Sequence, residues 1–430
     1  MITWSEFIFK HLLRCQGETW LTTEQISDIR KFVQPARTIA DTHSNSIKDS
    51  LQAFSSSIAG LLSSRAVLSS VGVGDSSASP TAALILSIIQ ESAGRIATIA
   101  FAWRFGTSLE PECKMYRLLA DILNDFAFVL DCLSPAFPKP LRVLILSFSS
   151  ILRALCGVAA GSAKASLSAH FARWGNLGEL NAKDSSQETV ISLLGMLVGS
   201  AVVQWVVSPI ATWTTLILLL SIHLETNRRA VRAVSMRTLN RQRANLVFHH
   251  LRRGHVPSPK EVSEQEGIFE QPDVLRGSDG EALGFCRLGA SMSDFLRSIA
   301  PAHATTKATS VPGTALAKLL KPFEEKKYLL WYDPLSVSRK VGVSVVLKEG
   351  VAPLDQLTAW WHAIALAEAS HQQDKAASSA LMGTGSTLLE QSMKSATALV
   401  TKYESFLREL GWDLDTGALE TGSNSRVKVQ

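Results

Sequence analysis

The sequence predicts a mainly α protein: a multi-helix, membrane-embedded helical domain followed by a small α+β C-terminal domain. Three observations carry this. Apolar residues recur at helical period from Leu51 to about Leu251. Charged residues make up 19% of the 430 residues, below the roughly 25% of soluble domains, and mean hydropathy is +0.14. After Gly254 the text changes to short alternating runs of the β type.

In chain order, residues 1–46 are a polar, variable lead-in, with Pro35 and a Thr/Ser/Asn-rich run over Asp41–Ser50. Residues 47–253 form the helical domain. Leu51–Ser70 is one helix, stopped by Val71-Gly72-Val73-Gly74-Asp75. Thr81–Trp103 and Lys114–Leu133 follow. The second of these is closed by Ser134-Pro135 and Pro138-Lys139-Pro140, whose missing N–H groups forbid continuation. Leu141 to about Arg173 comes next. Thr189–Leu224 is a 36-residue stretch without Asp, Glu, Lys or Arg, broken at Ser208-Pro209. A bilayer core needs about 20 apolar helical residues, so 141–163, 190–207 and 210–224 are candidate membrane helices. Burial of the same helices in a large core is the competing reading. Pro209 is expected to fold the run back and bring Arg228 or Arg229 near Asp184 or Glu188. Residues 254–280 read as a linker. Residues 281–415 read as a short antiparallel sheet, with strands at Tyr328–Tyr332 and Val341–Leu347 around a turn at Asp333-Pro334. Helices at Leu354–Ala369 and Thr387–Leu410 cover one face, and 416–430 read as a flexible tail.

The net charge of +5 is unevenly placed. Thr226–Lys260 holds eight arginines, one lysine and no acid, leaving −4 on the rest. Basicity is therefore local, and a stretch without interleaved aromatics does not support nucleic-acid binding. Asn227–Arg243 reads as a basic helix with Val231, Val234 and Leu239 as its apolar stripe. Directly after the uncharged run, it fits the positive side of a membrane anchor, where each basic group gains about 1 kcal/mol from anionic lipid. A solvated basic face is the alternative. The five cysteines, Cys15, Cys113, Cys132, Cys156 and Cys286, contain no Cys-x-x-Cys. They predict reduced thiols in an intracellular compartment, with neither a disulfide framework nor structural zinc. The acid in Met1–Lys10 argues against a secretory signal. The expected location is an intracellular membrane, the organelle being open.

Several polar groups lie among the apolar helices. Lys114, Arg117, Asp121, Asn124 and Asp125 share a helix, with Asp121 and Asp125 at i, i+4. Such carboxylates can share a proton or an ion, and the plainer reading pairs Arg117 with Asp121. Asp184 or Ser185 can cap the following helix, and Ser185-x-x-Glu188 has capping-box spacing. The same free N–H groups, with Lys183 beside them, can hold a phosphate. Gly157-x-x-x-Gly161, continued by Ala165, lets two helices approach closely. No Walker loop, dinucleotide fingerprint, nucleophile elbow or zinc-protease motif occurs. No enzyme activity, cofactor or metal site is expected.

Leu51-Gln52-Ala53-Phe54, Val71-Gly72-Val73-Gly74, Phe101-Ala102-Trp103 and Arg117-Leu118-x-Ala120-Asp121-x-x-Asn124-Asp125 resemble strings of the root UVB sensitive (RUS) family. So do Gly157-Val158-Ala159-x-Gly161, His170-x-Ala172-Arg173, Asn176 and Ala182-Lys183-Asp184-Ser185-Ser186-Gln187-Glu188-Thr189. His223, Asn227, Arg229-Ala230-Val231-Arg232-Ala233, Met236 and Thr238-Leu239-Asn240 end the match. Lys164 departs from it, standing where the family has an Arg and weakening any bidentate anion contact there. The resemblance implies a membrane protein with several transmembrane helices, of a family connected with UV-B responses and vitamin B6 status but without an assigned activity. The candidate ligand-binding set is Arg117, Asp121, Asn124, Asp125, Lys164, His170, Arg173, Lys183, Asp184, Gln187, Glu188, Arg229 and Arg232. Two functions fit: a non-enzymatic protein touching membrane lipid and acting through a protein partner or homo-oligomer, or a transporter or carrier of a small anionic metabolite, phosphorylated ones included.

Overall fold

No glycine or proline interrupts residues 40–50, so the first helix starts well before the predicted Leu51. In the computed structural model, which describes residues 40–72, 79–172, 175–299, 313–332, 341–376, 384–422 and 425–428, α1 spans Ala40–Val71. It ends at Gly72, whose φ of 90° suits a residue without Cβ. The helices α2 (Pro80–Phe105), α3 (Cys113–Leu133), α4 (Lys139–Phe171), α5 (Leu177–Trp205) and α6 (Pro209–Ala233) follow. Prolines open α2, α4 and α6 in their first turn, where the missing N–H is no loss.

These six helices run alternately between two ends. At one end, Arg65 of α1 donates to Val203 O, Val206 O and Thr212 Oγ1 at 2.9, 2.7 and 3.0 Å. It thereby satisfies carbonyls orphaned where α5 stops before Pro209. Arg142 donates to Ser70 O and Phe137 O at the same end. α1 packs along both α5 and α6 in place of a direct hairpin contact. The start of α5 and the end of α6 share an end as expected, but Arg228 and Arg229 form no ion pair with Asp184 or Glu188 among the described residues. Arg228 and Arg229 pair with Glu225 at 2.7 and 2.6 Å, and the carboxylates of α5 face α4 instead. The close helix approach also falls elsewhere than predicted. Gly157 and Gly161 face open space, whereas a Cβ on Gly195 would stand 2.7 Å from Ser57 Cβ of α1.

Apolar side chains of the bundle point outward to an unusual degree. Helices long and apolar enough to cross a membrane, by length and composition, run over Ala83–Ser108, Lys139–Phe171 and Leu177–Trp205. The predicted 141–163 falls inside the second, and the predicted 190–207 overlaps the third up to its end at Trp205. Ala83–Ser108 replaces 210–224, which ends against the polar turn of Glu225 and Arg228. Over the most apolar 18 residues of each, only 6% of the first and 11% of the third is buried, with Trp103 and Trp205 85% and 86% exposed. Neither helix belongs to a soluble core.

The C-terminal domain has the opposite character. The expected continuous basic helix breaks after Ala233, because Val234 and Met236 are drawn into a buried cluster with Cys113 and Ala163. Helix α7 (Arg241–Arg252) then restarts with the Asn240 side chain accepting from Arg243 N at 2.9 Å. Residues 254–280 are not a linker: they supply α8 (Pro259–Gln265) and β1 (Val274–Arg276). Next come β2 (Ala282–Leu288), α9 (Met292–Ile299), α10 (Gly313–Leu320), β3 (Tyr328–Tyr332), β4 (Val341–Lys348), α11 (Pro353–Ala376), α12 (Thr384–Glu409) and β5 (Arg426–Val427). The Asp333-Pro334 turn lies outside the described residues. The sheet order is β1-β2-β4-β3, with β5 pairing the end of β4. It is mixed rather than antiparallel, since β2 and β4 pair in parallel after the crossover through α9, α10 and β3. Trp360 and Trp361 of α11 are fully buried and donate to Asn245 Oδ1 and Ala244 O at 2.9 and 3.0 Å. The described residues of the stretch predicted as a flexible tail are docked, with Ala418 and Leu419 buried and Arg426 paired to Glu420.

Two measurements test this packing. Gly195→Ala forces α5 off α1 and is expected to lower thermal stability by about 1–3 kcal/mol. Gly157→Ala meets nothing and should raise it by about 0.5–1 kcal/mol; equal effects would refute the assigned close approach. Burial in the C-terminal domain pushes His362 from its ordinary 6.5 down to about 3. Its Nε2–H donates to Leu389 O, and Nδ1 accepts from Tyr328 O–H. The unfolded imidazole takes a proton that the folded one refuses. Stability is therefore lost as pH falls below about 6.5, at up to about 1.4 kcal/mol per pH unit. Hydrogen exchange in α11 should show this slope and His362→Gln should flatten it, so an unchanged slope in the variant would count against the assignment.

Candidate functional site

The sequence of α3 alternates apolar turns with Lys114, Arg117, Asp121 and Asp125; the last three fall along one side and meet α1 and α6, while Lys114 reaches Ser263 and Glu266. His223 and Asn227 of α6 are one turn apart and face that side. Asp121 Oδ2 accepts from Asn227 Nδ2 at 2.6 Å and from Gln52 Nε2 of α1. His223 Nε2 lies 3.5 Å from the same oxygen, and its Nδ1 lies 2.8 Å from Asp125 Oδ1. Gln52, Asp121, Asp125, His223 and Asn227 are all buried. Arg117 Nη2 reaches Gln52 Oε1 at 3.5 Å. The expected Arg117–Asp121 ion pair is absent among the described residues, because Gln52 stands between guanidinium and carboxylate.

The imidazole is thus held edge-on between two carboxylates, with each ring nitrogen facing an acid. Asp121 has two further donors around it, Gln52 and Asn227. Asp125 is buried with no hydrogen-bond donor among the described residues beyond that imidazole edge. Two acids and one base in a water-poor space are coupled, since moving one proton alters which contacts are satisfied. An open crevice of about 320 Å³ lies between the same two helices, α3 and α6, lined by Leu118, Ile122, Ser221, Leu224, Glu225 and Arg228 and by no member of the cluster.

Of the other predicted residues, Lys164, Asp184 and Glu188 come together, with Lys164 Nζ 2.8 and 2.7 Å from the two carboxylates. This ties α4 to α5 and occupies the ammonium that an anion would need. Lys183 turns instead to Glu179 at 2.5 Å. The capping box is not one, because α5 begins at Leu177 and Asp184 to Glu188 lie in its interior. The phosphate reading of those residues fails for the same reason. Asn124 and Gln187 are half-buried outside the cluster. His170, also half-buried, supplies its carbonyl to Arg237 at 3.1 Å. Arg229 pairs within its own helix, Arg232 is exposed, and Arg173 lies outside the described residues.

Sequence reasoning missed His223, Asn227 and Gln52 as site members. The available signal was a lone imidazole ending the uncharged run, four residues before an Asn. It also missed a second buried network, in which Ser63 Oγ donates to Asp131 Oδ2 at 2.7 Å and Arg153 pairs with the same oxygen. A third joins the two domains: Glu266 holds Lys114 Nζ at 2.6 Å and Arg243 Nη1 at 2.9 Å. Burial pushes the Lys114 ammonium below the usual lysine range, opposed by Glu266.

An alternating helical bundle with outward apolar faces, a buried carboxylate–imidazole cluster and a docked α+β domain defines a class of helical protein with a polar centre. A family model described as the vitamin B6 photo-protection and homoeostasis domain matches residues 35–254, which include all of α1. The chain belongs to the root UVB sensitive family, which is linked to the UV-B response and vitamin B6 homoeostasis. It is 42% identical over 226 residues to RUS family member 1 of Dictyostelium discoideum, covering 51% of this chain and 43% of that protein. It is 32% identical over 328 residues to protein root UVB sensitive 3 of Arabidopsis thaliana, covering 74% and 69%. The chain therefore spans less than half the length of the Dictyostelium relative. No solved structure matches it.

Removing one partner of a buried charged cluster strands the other. His223→Ala is expected to destabilise the protein by about 3–5 kcal/mol. Combined with Asp125→Ala it should cost clearly less than the sum of the single changes. Additive losses in thermal unfolding would mean that the imidazole and Asp125 do not interact.

Proposed function

We propose that this chain is a non-enzymatic protein of an intracellular membrane, lodged in the bilayer through α2, α4 and α5. In this reading it carries a small anionic metabolite in a proton-linked manner past the Asp121–His223–Asp125 cluster. One observation supports it above the rest: two carboxylates and an imidazole are buried together in a bundle whose outward faces are apolar. Ionisable groups in such surroundings are expensive and are expected to carry function. The crevice between α3 and α6 has apolar walls and a serine, a glutamate and an arginine at its edge, and its size suits a ring-sized molecule. A phosphorylated B6 vitamer has that size and charge, which agrees with the description of the family domain. An anion there would compete with Glu225 for Arg228.

A second reading, action through a protein partner or another copy, has one observation in its favour. Glu91 and Arg95 form an exposed 2.5 Å pair on α2, whose other charge, Arg104, lies in its last turn, and charge facing lipid is costly. A contacting protein would relieve that cost. Neither reading involves nucleic acid, since Arg241 and Arg243 of the basic stretch are buried in ion pairs.

Alkaline extraction is expected to leave the protein in the membrane pellet, and release to the supernatant would remove both readings. In proteoliposomes with an imposed pH gradient, uptake of pyridoxal 5′-phosphate should depend on the gradient. His223→Ala should abolish that dependence, and uptake equal to wild type in this variant would leave only the partner reading.

A further inference from the structure

The end of α7 builds a second cluster, remote from the bundle cluster and independent of the membrane reading. The helix closes through Gly254, whose φ is 80°. His255 N donates to His250 O at 3.0 Å, and Gly254 N donates to Leu251 O at 2.9 Å. These are the two bonds of a Schellman ending, and they bring the residues at its two outer positions into contact. An apolar pair commonly fills those positions. Here they are His250 and His255, with ring centroids 5.5 Å apart.

A third donor comes from α8. Ser258 caps that helix by accepting from Glu261 N at 3.3 Å. The Glu261 carboxylate does not turn back on the cap, and instead lies 2.8 Å from His255 Nε2. One ligand atom from each of His250, His255 and Glu261 falls within 4.8 Å of the other two. Gln265, one turn beyond Glu261, brings its amide within 3.3 Å of His250 Nε2. Two imidazoles, a carboxylate and a neighbouring amide oxygen are nitrogen and oxygen donors suited to zinc, whose bonds to them run about 2.0–2.2 Å.

We propose that His250, His255 and Glu261 bind a zinc-class divalent transition-metal ion, with water or Gln265 completing the shell. The backbone that presents both imidazoles is already fixed by the helix ending, so binding asks only for side-chain adjustment. The ion replaces the proton shared by His255 and Glu261 and clamps α7 to α8. Immediately after α8 stands Glu266, the residue that joins Lys114 of the bundle to Arg243. Occupancy therefore stabilises the junction between the two domains.

The test uses tag-free full-length protein stripped with chelator and titrated with Co²⁺, read by its visible d–d absorption. One equivalent should bind, be displaced by Zn²⁺ and raise the thermal unfolding temperature. His255→Ala and Glu261→Gln should each weaken binding at least tenfold. Both alter surface side chains, and unchanged far-UV circular dichroism would establish that the fold persists. Absence of the band in the wild type overturns the proposal. So does a band of undiminished affinity in both variants, which would put the ion at another site.

Discussion

One carboxylate oxygen, Asp121 Oδ2, holds together helices far apart in the chain. It accepts from Gln52 on α1 and Asn227 on α6 while belonging to α3, and the imidazole of His223 stands against it. A buried charge needs such partners, because water is not there to supply them. Satisfying it fixes the rotation of α1, α3 and α6 about their own axes. The remaining helices are then arranged around that trio: α4 against α3, α5 against α1, and α2 on α4.

Around this polar centre the bundle inverts the usual distribution of apolar groups. Its buried apolar clusters are small, and Ile, Leu and Trp side chains of α2 and α5 face outward. The C-terminal domain keeps one large core containing Trp360, Trp361 and the faces of β3 and β4. The two regions are therefore stabilised differently. The bundle relies on close approach at Gly195 and on hydrogen-bonded ion pairs, whereas the domain relies on buried apolar area. Between them lies Glu266, a single carboxylate shared by a lysine from one region and an arginine from the other.

Much of the helical layout was legible because its signals are local. The prolines at 135, 138 and 209 ended or opened helices where their missing N–H groups require, and the alternation of Val341–Leu347 marked a strand. Where the reading failed, the deciding contact was distant. Gly157 and Gly195 look alike in sequence, and only Ser57, from another helix, distinguishes them. The basic stretch looked continuous until Val234 and Met236 were claimed by Cys113 and Ala163. Parallel pairing of β2 with β4 depends on a crossover that neither strand encodes. The site was half legible: Asp121 and Asp125 stood out by their spacing, but their partners came from helices 69 and 102 residues away, Gln52 before Asp121 and His223 after it.

The sequence by itself determined the family, the mainly helical class, the apolar character of the bundle and the two carboxylates at its centre, since residue type and short-range spacing encode all of these. The tertiary structure alone decided which groups those carboxylates meet. It put an imidazole between them, spent Lys164 on Asp184 and Glu188, and drew arginines from an apparently exposed basic helix into buried ion pairs. Partner choice is set by which helix faces pack together, and that depends on the whole chain rather than on any one segment.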